Sequence, residues 1–417
     1  MLRSIESTDA PGVHAPRHGG PAIVIICLGC AWLGTVIAVA LSPALPFIAR
    51  EFGHGANGAS IAQLLQTLPA ITMILGAGGA GYLSERWGRR IVMTGALLAY
   101  ALSGAAGLFA DTLPLLVVSR LILGLAGGVM LTTSYAMIGE YFEGPKRERI
   151  IGFAAALGSL SAILHLLIAG PLVDAYGWRA PFILYLPALA LVPFALIGMH
   201  SNRTAAAASL VKLSWGPVVA HWPLLLLLTA YTVGMYMSVI QSPFLVVAHG
   251  LGDATMIGRL VATTSLVAAA CSFAYGFLRP RVGFSGMFVM ISAGFAAGML
   301  ICVTAGSLPI FALGGALMGL GSGLIEPAIA SAVLARTPEP LHDRAMGAVI
   351  MALFLGQFLN PVVLRPLNEI GGIDLVFVAT GLAYLVGAAL FLIAALQLRK
   401  RLSGSKAEDA IAKQDAA

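Results

Sequence analysis

Only 10% of the 417 residues are charged while 59% are hydrophobic, and the mean hydropathy is +0.92. Soluble domains carry roughly 25% charged residues, so this chain lacks the polar residues to cover a water-exposed surface, and a soluble fold is excluded. A formal charge of +6 raises nucleic-acid binding as an alternative, which the positions of the charges decide.

Residues 1–20 are polar, too long for the basic region of a signal peptide, and show no A-x-A-like cleavage site. The first apolar run is therefore expected to stay in place as a membrane helix. A bilayer core takes about 20 apolar residues as a helix. Twelve runs meet that measure, at about 22–47, 59–82, 91–110, 114–139, 150–172, 180–199, 223–247, 257–277, 284–305, 309–334, 345–364 and 375–396. Most connections are short, and the longest, 200–222, follows the sixth run. Cys27, Cys30, Cys271 and Cys302 all lie in apolar runs, where a thiol packs as a small hydrophobe. The pair in "CLGC" has no second Cys/His pair to complete a metal site, so no metal and no cofactor are expected.

With twelve spans both ends lie on one side. That side holds 19 Lys/Arg: two in the N-tail, Arg86, Arg89 and Arg90, then Lys146, Arg147 and Arg149, Arg203 and Lys212, Arg279 and Arg281, Arg336 and Arg344, and five in the C-tail. The other side has four, Arg50, Arg179, Arg259 and Arg365. The positive-inside rule places both termini in the cytoplasm. A nucleic-acid patch would cluster its charge on one element. Here the charge is spread over seven loops and tails, so it sets topology, and no nucleic-acid partner is expected. The partner is the lipid bilayer.

The chain is also duplicated. Offset by 195 residues, Gly81, Leu83 and Gly88 meet Gly276, Leu278 and Gly283. Gly124 and Gly128 meet Gly319 and Gly323, Arg149 and Gly152 meet Arg344 and Gly347, and Pro171, Gly177 and Phe182 meet Pro366, Gly372 and Phe377. One ungapped register across four spans predicts two six-helix halves in the same orientation: a bundle over 21–199 and another over 223–397. A cytoplasmic N-tail (1–20), linker (200–222) and C-tail (398–417) complete the chain. Parallel halves that rock about a midplane site are the architecture of alternating-access transport. The small-residue spacings suit close-packed helices.

The stretch "GYLSERWGRR", residues 81–90, resembles the loop 2–3 signature of the major facilitator superfamily, G-x-L-a-D-R-x-G-R-R, and lies between the second and third spans, where that family has it. "RLILG" at 120–124 resembles the family's R-x-x-x-G motif, and "GWRAPF" after the fifth span is another common family feature. The resemblance covers about residues 20–397. It implies an all-α membrane fold of two six-helix bundles related by a pseudo-two-fold axis. It also implies a cytoplasmic gate at Gly81, Glu85, Arg86, Gly88, Arg89 and Arg90, where the acid and arginine latch the halves when the cavity opens outward. Glu140, at the end of the fourth span, is a further expected partner for Arg89. Drug-type antiporters of the family carry Gly-Pro in the fifth span; His165-Leu166 holds that place here.

Only Arg120 and Glu326 carry a full charge in the membrane interior away from span ends. A charge at the bilayer centre costs about 2.5–3.5 kcal/mol on insertion scales, so each should face a cavity or a partner. The repeat matches Arg120 with Gly315 and Glu326 with Leu131: packing positions are duplicated and charges are not. In the family, spans 1, 4, 7 and 10 line the central cavity. Arg120 either contacts an anionic or carbonyl group of the substrate or holds a neighbouring helix by its carbonyls. Glu326 is the candidate proton carrier, against the alternative of a static pair beside Pro327. His165, matched by Asn360, is the second candidate, since imidazole titrates near neutral pH; packing is its ordinary role. Tyr231, Tyr236, Ser238 and Gln241 in the seventh span, with Trp32, Gln63, Gln66 and Gln357, suit an organic molecule of moderate size with some polar or acidic character.

The leading expectation is a proton-coupled exporter of a small organic compound, working as a monomer in a bacterial inner membrane. The alternative is a symporter or exchanger importing an organic anion. A non-transporting sensor on the same scaffold would call for an added domain or long tail, and the tails are short. No nucleophile–base cluster and no P-loop occur, so neither an enzyme nor an ATP-driven pump is expected.

Overall fold

The computed structural model describes residues 20–53, 55–199, 216, 220–338 and 341–415. The N-tail and nearly all of the linker lie outside the described residues. Ten helices are long and apolar enough to cross a membrane. Eight are single crossings: α1 Pro21–Phe52, α2 Asn57–Trp87, α3 Arg89–Leu108, α4 Leu113–Tyr141, α5 Gly144–Tyr176, α6 Ala180–Gly198, α7 Trp222–Ala248 and α10 Leu308–Leu334. The other two, Ala254–Val303 and Arg344–Gln397, run 50 and 54 residues, about twice what a bilayer takes.

Each of these long elements divides at a glycine. Gly283 has φ 74°, and Gly371 and Gly372 leave helical geometry together. The crossings are α8 (254–282) and α9 (284–303), then α11 (344–370) and α12 (373–397). The turn glycines reproduce the internal repeat in the backbone. Gly88 (φ 82°) and Gly283 (φ 74°) end the second and eighth crossings; Gly177 (φ 83°) and Gly372 (φ 69°) end the fifth and eleventh. All four sit where a side chain would be strained, so one turn chemistry is used twice at each level. The structure is an all-α membrane fold of two six-helix bundles. The last helix continues past the expected span end to Asp415, so the C-tail begins as a helical extension.

α6 starts as a 3-10 helix over Ala180–Leu191. That is long for this form, and Pro181 and Pro187 explain it: each removes an N–H from the run.

Within each bundle the repeat shows again as packing. A Cβ on Gly124 or Gly128 would collide with backbone of α2 at Pro69 and Met73. A Cβ on Gly319 or Gly323 would collide with backbone of α8 at Thr264 and Ala268. The two bundles meet at the end of the molecule opposite the arginine-rich turns, called the distal end below. There Gly170 of α5 lies against Ala254 and Thr255, and Gly258 against the Leu166 carbonyl. Asp174 bridges the same seam. Its Oδ1 accepts from Ala254 N at 3.1 Å, and its Oδ2 from Thr255 N at 2.8 Å and Thr255 Oγ1 at 2.5 Å. A carboxylate of one bundle thus serves the N–H groups at the start of a helix of the other.

Gly128→Ala should lower the thermal stability of the detergent-solubilised protein by about 1–3 kcal/mol, because the methyl meets the fixed backbone of α2. Gly152→Ala, where a Cβ meets nothing within 4 Å, should leave stability unchanged or raise it by about 0.5–1 kcal/mol. Differential scanning fluorimetry on both variants measures the contrast.

Candidate functional site

Glu326 sits in mid-span on α10, two-thirds of the way along a 27-residue helix, yet its side chain is accessible. The phenols of Tyr135 on α4 and Tyr236 on α7 lie within electrostatic range of its carboxylate. Those three helices belong to both bundles. The carboxylate therefore faces the space between the halves rather than lipid. Tyr135 did not stand out in the sequence. The available signal was its depth: a tyrosine more than a turn inside the end of α4, away from the interfacial belt where tyrosine usually collects.

Arg120 has another destination. It is 1% exposed, and its Nη2 donates to the carbonyls of Ser103 (3.1 Å) and Gly104 (2.9 Å) at the end of α3. Nε donates to Ser119 Oγ at 3.3 Å. The guanidinium lies over the rings of Phe182 and Tyr185 of α6, 4.8 and 5.2 Å from their centroids. A helix C-terminus favours a cation, and a desolvated guanidinium over two aromatic faces gains further attraction. The structure places Arg120 inside the first bundle, joining α3, α4 and α6, and not beside Glu326.

His165 is buried and stacks edge-on with Trp32, ring centroids 5.3 Å apart. Its Nδ1 donates to the Ser161 carbonyl at 2.7 Å. Ser161 Oγ donates to the Trp32 carbonyl at 2.7 Å, and Thr35 Oγ1 to Ser161 Oγ at 3.0 Å. This network ties α1 to α5 within one bundle. Tyr231 is likewise internal to the second bundle: its hydroxyl meets Ser292 Oγ at 2.5 Å, and Phe288, Phe295 and Tyr384 surround its ring. Gln357 is buried on α11.

Gln241 and Asn360, by contrast, come together. Gln63 Nε2 donates to Gln241 Oε1 (2.8 Å), Gln241 Nε2 to Asn360 Oδ1 (2.9 Å), and Asn360 Nδ2 to the Val233 carbonyl (2.8 Å). This buried amide chain runs from α2 across the seam to α7 and α11. Gln66 packs beside it, donating to the Ala38 carbonyl.

At the basic end a glycine decides how the charges pair. Glu85 and Arg89 are four residues apart, the spacing of a helical pair, but Gly88 (φ 82°) ends α2 and Arg89 begins α3. Arg89 forms its ion pair with Glu140 of α4. Each of these charges sits at the unfavourable pole of its own helix, Arg89 at an N-terminus and Glu140 at a C-terminus, and the pair offsets both. Gly81, Glu85 and Arg89 line a cavity of about 110 Å³ with Ser84, Thr132, Thr133 and Ala136. Arg86 donates to the Tyr82 hydroxyl on the outer surface (3.1 Å), and Arg90 follows in the first turn of α3. No cluster of three or more metal-ligating side chains occurs among the described residues.

Arg120→Ala should lower thermal stability by about 1–3 kcal/mol, since it strands two carbonyls at the end of α3. Ligand affinity of the fraction that remains folded should stay within about twofold. Unchanged stability with lost binding would place Arg120 at the substrate instead.

The sequence pattern of the Major Facilitator Superfamily matches residues 24–258 and again 224–414. The chain is 28% identical over 165 residues to the multidrug transporter protein MdtP of Bacillus subtilis, covering 40% of this chain and 29% of that protein. It thus spans less than a third of that relative's length. To the class C tetracycline resistance protein of Escherichia coli it is 26% identical over 394 residues, 90% of this chain and 96% of that one. Among solved structures, an inward-facing, unoccupied bacterial homologue of the human lysosomal transporter Spinster superposes with a TM-score of 0.73 at 16% identity, over 91% of this chain and 98% of the other. At that identity the likeness concerns the fold.

Proposed function

The chain belongs to the Major Facilitator Superfamily, and on that premise we propose that it exports a small organic molecule from a bacterial cytoplasm in exchange for protons. It is a membrane transporter and not an enzyme. The observation that carries the proposal is Glu326: a carboxylate at mid-membrane depth, facing the space between the bundles, with phenols from both sides of that space around it. A carboxylate so placed takes up a proton where water is excluded and gives it up where water or a cation reaches it. Rocking of the bundles alternates those surroundings, and exchange of proton for substrate follows from their competing for one state. His165 is the lesser candidate, since its ring is engaged with Ser161 and Trp32 inside one bundle.

Charge placement also sets the kind of cargo. The alternative of an imported organic anion needs Arg120 as the anion contact, and its guanidinium is engaged at the end of α3. What remains between the bundles is a carboxylate with tyrosines, which suits a neutral or basic, partly aromatic compound. This weighs against the import of an organic anion. The names of two relatives, a multidrug transporter and a tetracycline resistance protein, support the export direction.

In the same proposal the basic turns face the cytoplasm with both termini, and the distal end faces the periplasm. The bundles 21–199 and 223–397 move as two bodies within a single working protomer, joined by the linker 200–222. Glu85 and Arg89, with Glu140 holding Arg89 inside the first bundle, supply the first bundle's side of the cytoplasmic latch, which closes in the outward-facing state.

Proteoliposomes with an imposed pH gradient test this directly. With tetracycline and tetraphenylphosphonium as cargo, substrate addition should draw protons in the direction opposite to substrate, and Glu326→Gln should reduce gradient-driven transport at least about tenfold. Protons and substrate moving the same way would establish symport and overturn the proposal.

A further inference from the structure

α7 is not a regular helix. It is α-helical over Trp222–Met235, passes through Tyr236 into a π-helical turn at Met237–Gln241, and resumes at Ser242–Ala248. The sequence explains why. In an α-helix the Val239 carbonyl would accept from the N–H four residues on, and that residue is Pro243, which has none. The chain widens instead, and Ser242 N–H reaches back five residues to the Met237 carbonyl. Such wide turns are rare and often mark functional places.

A widened turn leaves carbonyls needing partners, because a buried, unpaired carbonyl is costly. Ser42 Oγ, in the distal half of α1, donates to the Val239 carbonyl at 2.6 Å. Asn360 of α11 donates to the Val233 carbonyl, and the amide chain Gln63–Gln241–Asn360 grips the last residue of the turn. Tyr384 of α12 holds the preceding turn, accepting from Gly234 N at 3.0 Å and donating to the Ala230 carbonyl at 2.8 Å. The second bundle therefore supplies Asn360 and Tyr384, and the first bundle supplies Ser42 and Gln63. Ser42 and Gln63 contact α7 across the seam that must part when the distal end opens. Tyr236, the residue at which the wide turn starts, is one of the two phenols beside Glu326.

We propose that the wide turn of α7 links distal closure to the carboxylate site, and that Ser42 and Gln63 are positioning residues acting on Glu326 through Tyr236. While the distal end is closed, the two side chains hold the turn open and Tyr236 in place. When the bundles part there, the turn loses both contacts and rewinds. Removing one residue from a helical turn rotates the flanking positions by roughly 100°, which takes the Tyr236 phenol away from the carboxylate. Glu326 thereby experiences the state of a gate it does not touch. By linkage, protonation of Glu326 biases the gate in turn.

The inference rests on the reading of Glu326 as the proton carrier, and its test uses the proton itself as the probe. Groups facing Glu326 among the described residues are Tyr135 from α4 and Tyr236 from α7. α8, packed on α10, brings Tyr275, whose hydroxyl is engaged 2.6 Å from Ser331 Oγ, more than a turn away. Infrared difference spectra of the full protein in nanodiscs, recorded against pH, report the carboxylic-acid band of Glu326, assigned by its loss in Glu326→Gln. Ser42→Ala and Gln63→Leu should each move the midpoint of that band by about half a pH unit or more. In a Tyr236→Phe background the same substitutions should move it by less than about a fifth of a unit. Pro243→Ala, which restores the missing N–H, should move the midpoint in the same sense as Ser42→Ala and leave Ser42→Ala without further effect. A titrating band whose midpoint ignores Ser42 and Gln63, or shifts equally with and without the Tyr236 hydroxyl, overturns the proposal alone. Absence of any titrating Glu326 band overturns the proton-carrier reading and the proposal with it.

Discussion

A carboxylate at mid-membrane depth must be reached by water, paired, or protonated, because an ionised group in hydrocarbon is too costly to leave alone. The placement of Glu326 between the bundles, not on a lipid face, follows from that constraint. Much of the remaining structure can be understood as the means of letting that group's surroundings change. The proposed exchange requires two rigid bundles, so that the space around Glu326 opens at one end while it closes at the other. Seals that form and break are required at both ends. The opposite charge, Arg120, is taken out of play: carbonyls at the end of α3 and two aromatic faces hold it within one bundle.

The two ends of the molecule carry different chemistry. At the distal end the seam is made of small residues, neutral amides and one carboxylate over a helix start: Gly170 and Gly258 in close approach, Gln63–Gln241–Asn360, and Asp174 over Ala254 and Thr255. At the basic end the polar contacts are ionic and lie within the first bundle, with Arg89 on Glu140 and Glu85 lining the same cavity. The amides add no charge where Lys and Arg are few, whereas the basic loops supply the cations an ionic latch needs. Duplication supplies the scaffold, and the charged positions depart from it. Asp174 has Glu369 as its counterpart in the repeat, but Glu369 pairs with Arg365 one turn away, so the two copies of one position have separate partners.

How much of this the sequence disclosed depends on the range of the interaction. Crossings of about 20 apolar residues are local, and they were legible. So was the repeat, whose turn glycines at 88, 177, 283 and 372 all adopt positive φ. The Arg89–Glu140 pair was legible through the family signature. The position of Arg120 was not: a buried guanidinium bound to carbonyls 16 and 17 residues away looks, in one dimension, the same as one awaiting an anion. The four-residue spacing of Glu85 and Arg89 would make a pair only on one continuous helix, and Gly88 interrupts it. The wide turn of α7 was hidden although Pro243 was in plain view, because an internal proline is compatible with a kink, a cap or a π-turn. Ser42 and Asn360, which select among these, are distant in sequence. Tyr135 became visible only once α4 faced α10.

Alternating exposure of position 326 is the central claim, and site-directed thiol labelling measures it most directly. In a background with Cys27, Cys30, Cys271 and Cys302 replaced, Glu326→Cys would be treated with a membrane-impermeant thiol reagent from each face of oriented vesicles. The account predicts labelling from the face of the arginine-rich turns while the distal end is closed. It predicts labelling from the opposite face once Ser42→Ala and Gln63→Leu have loosened the distal seam. A position 326 that is protected from both faces in every variant would contradict it.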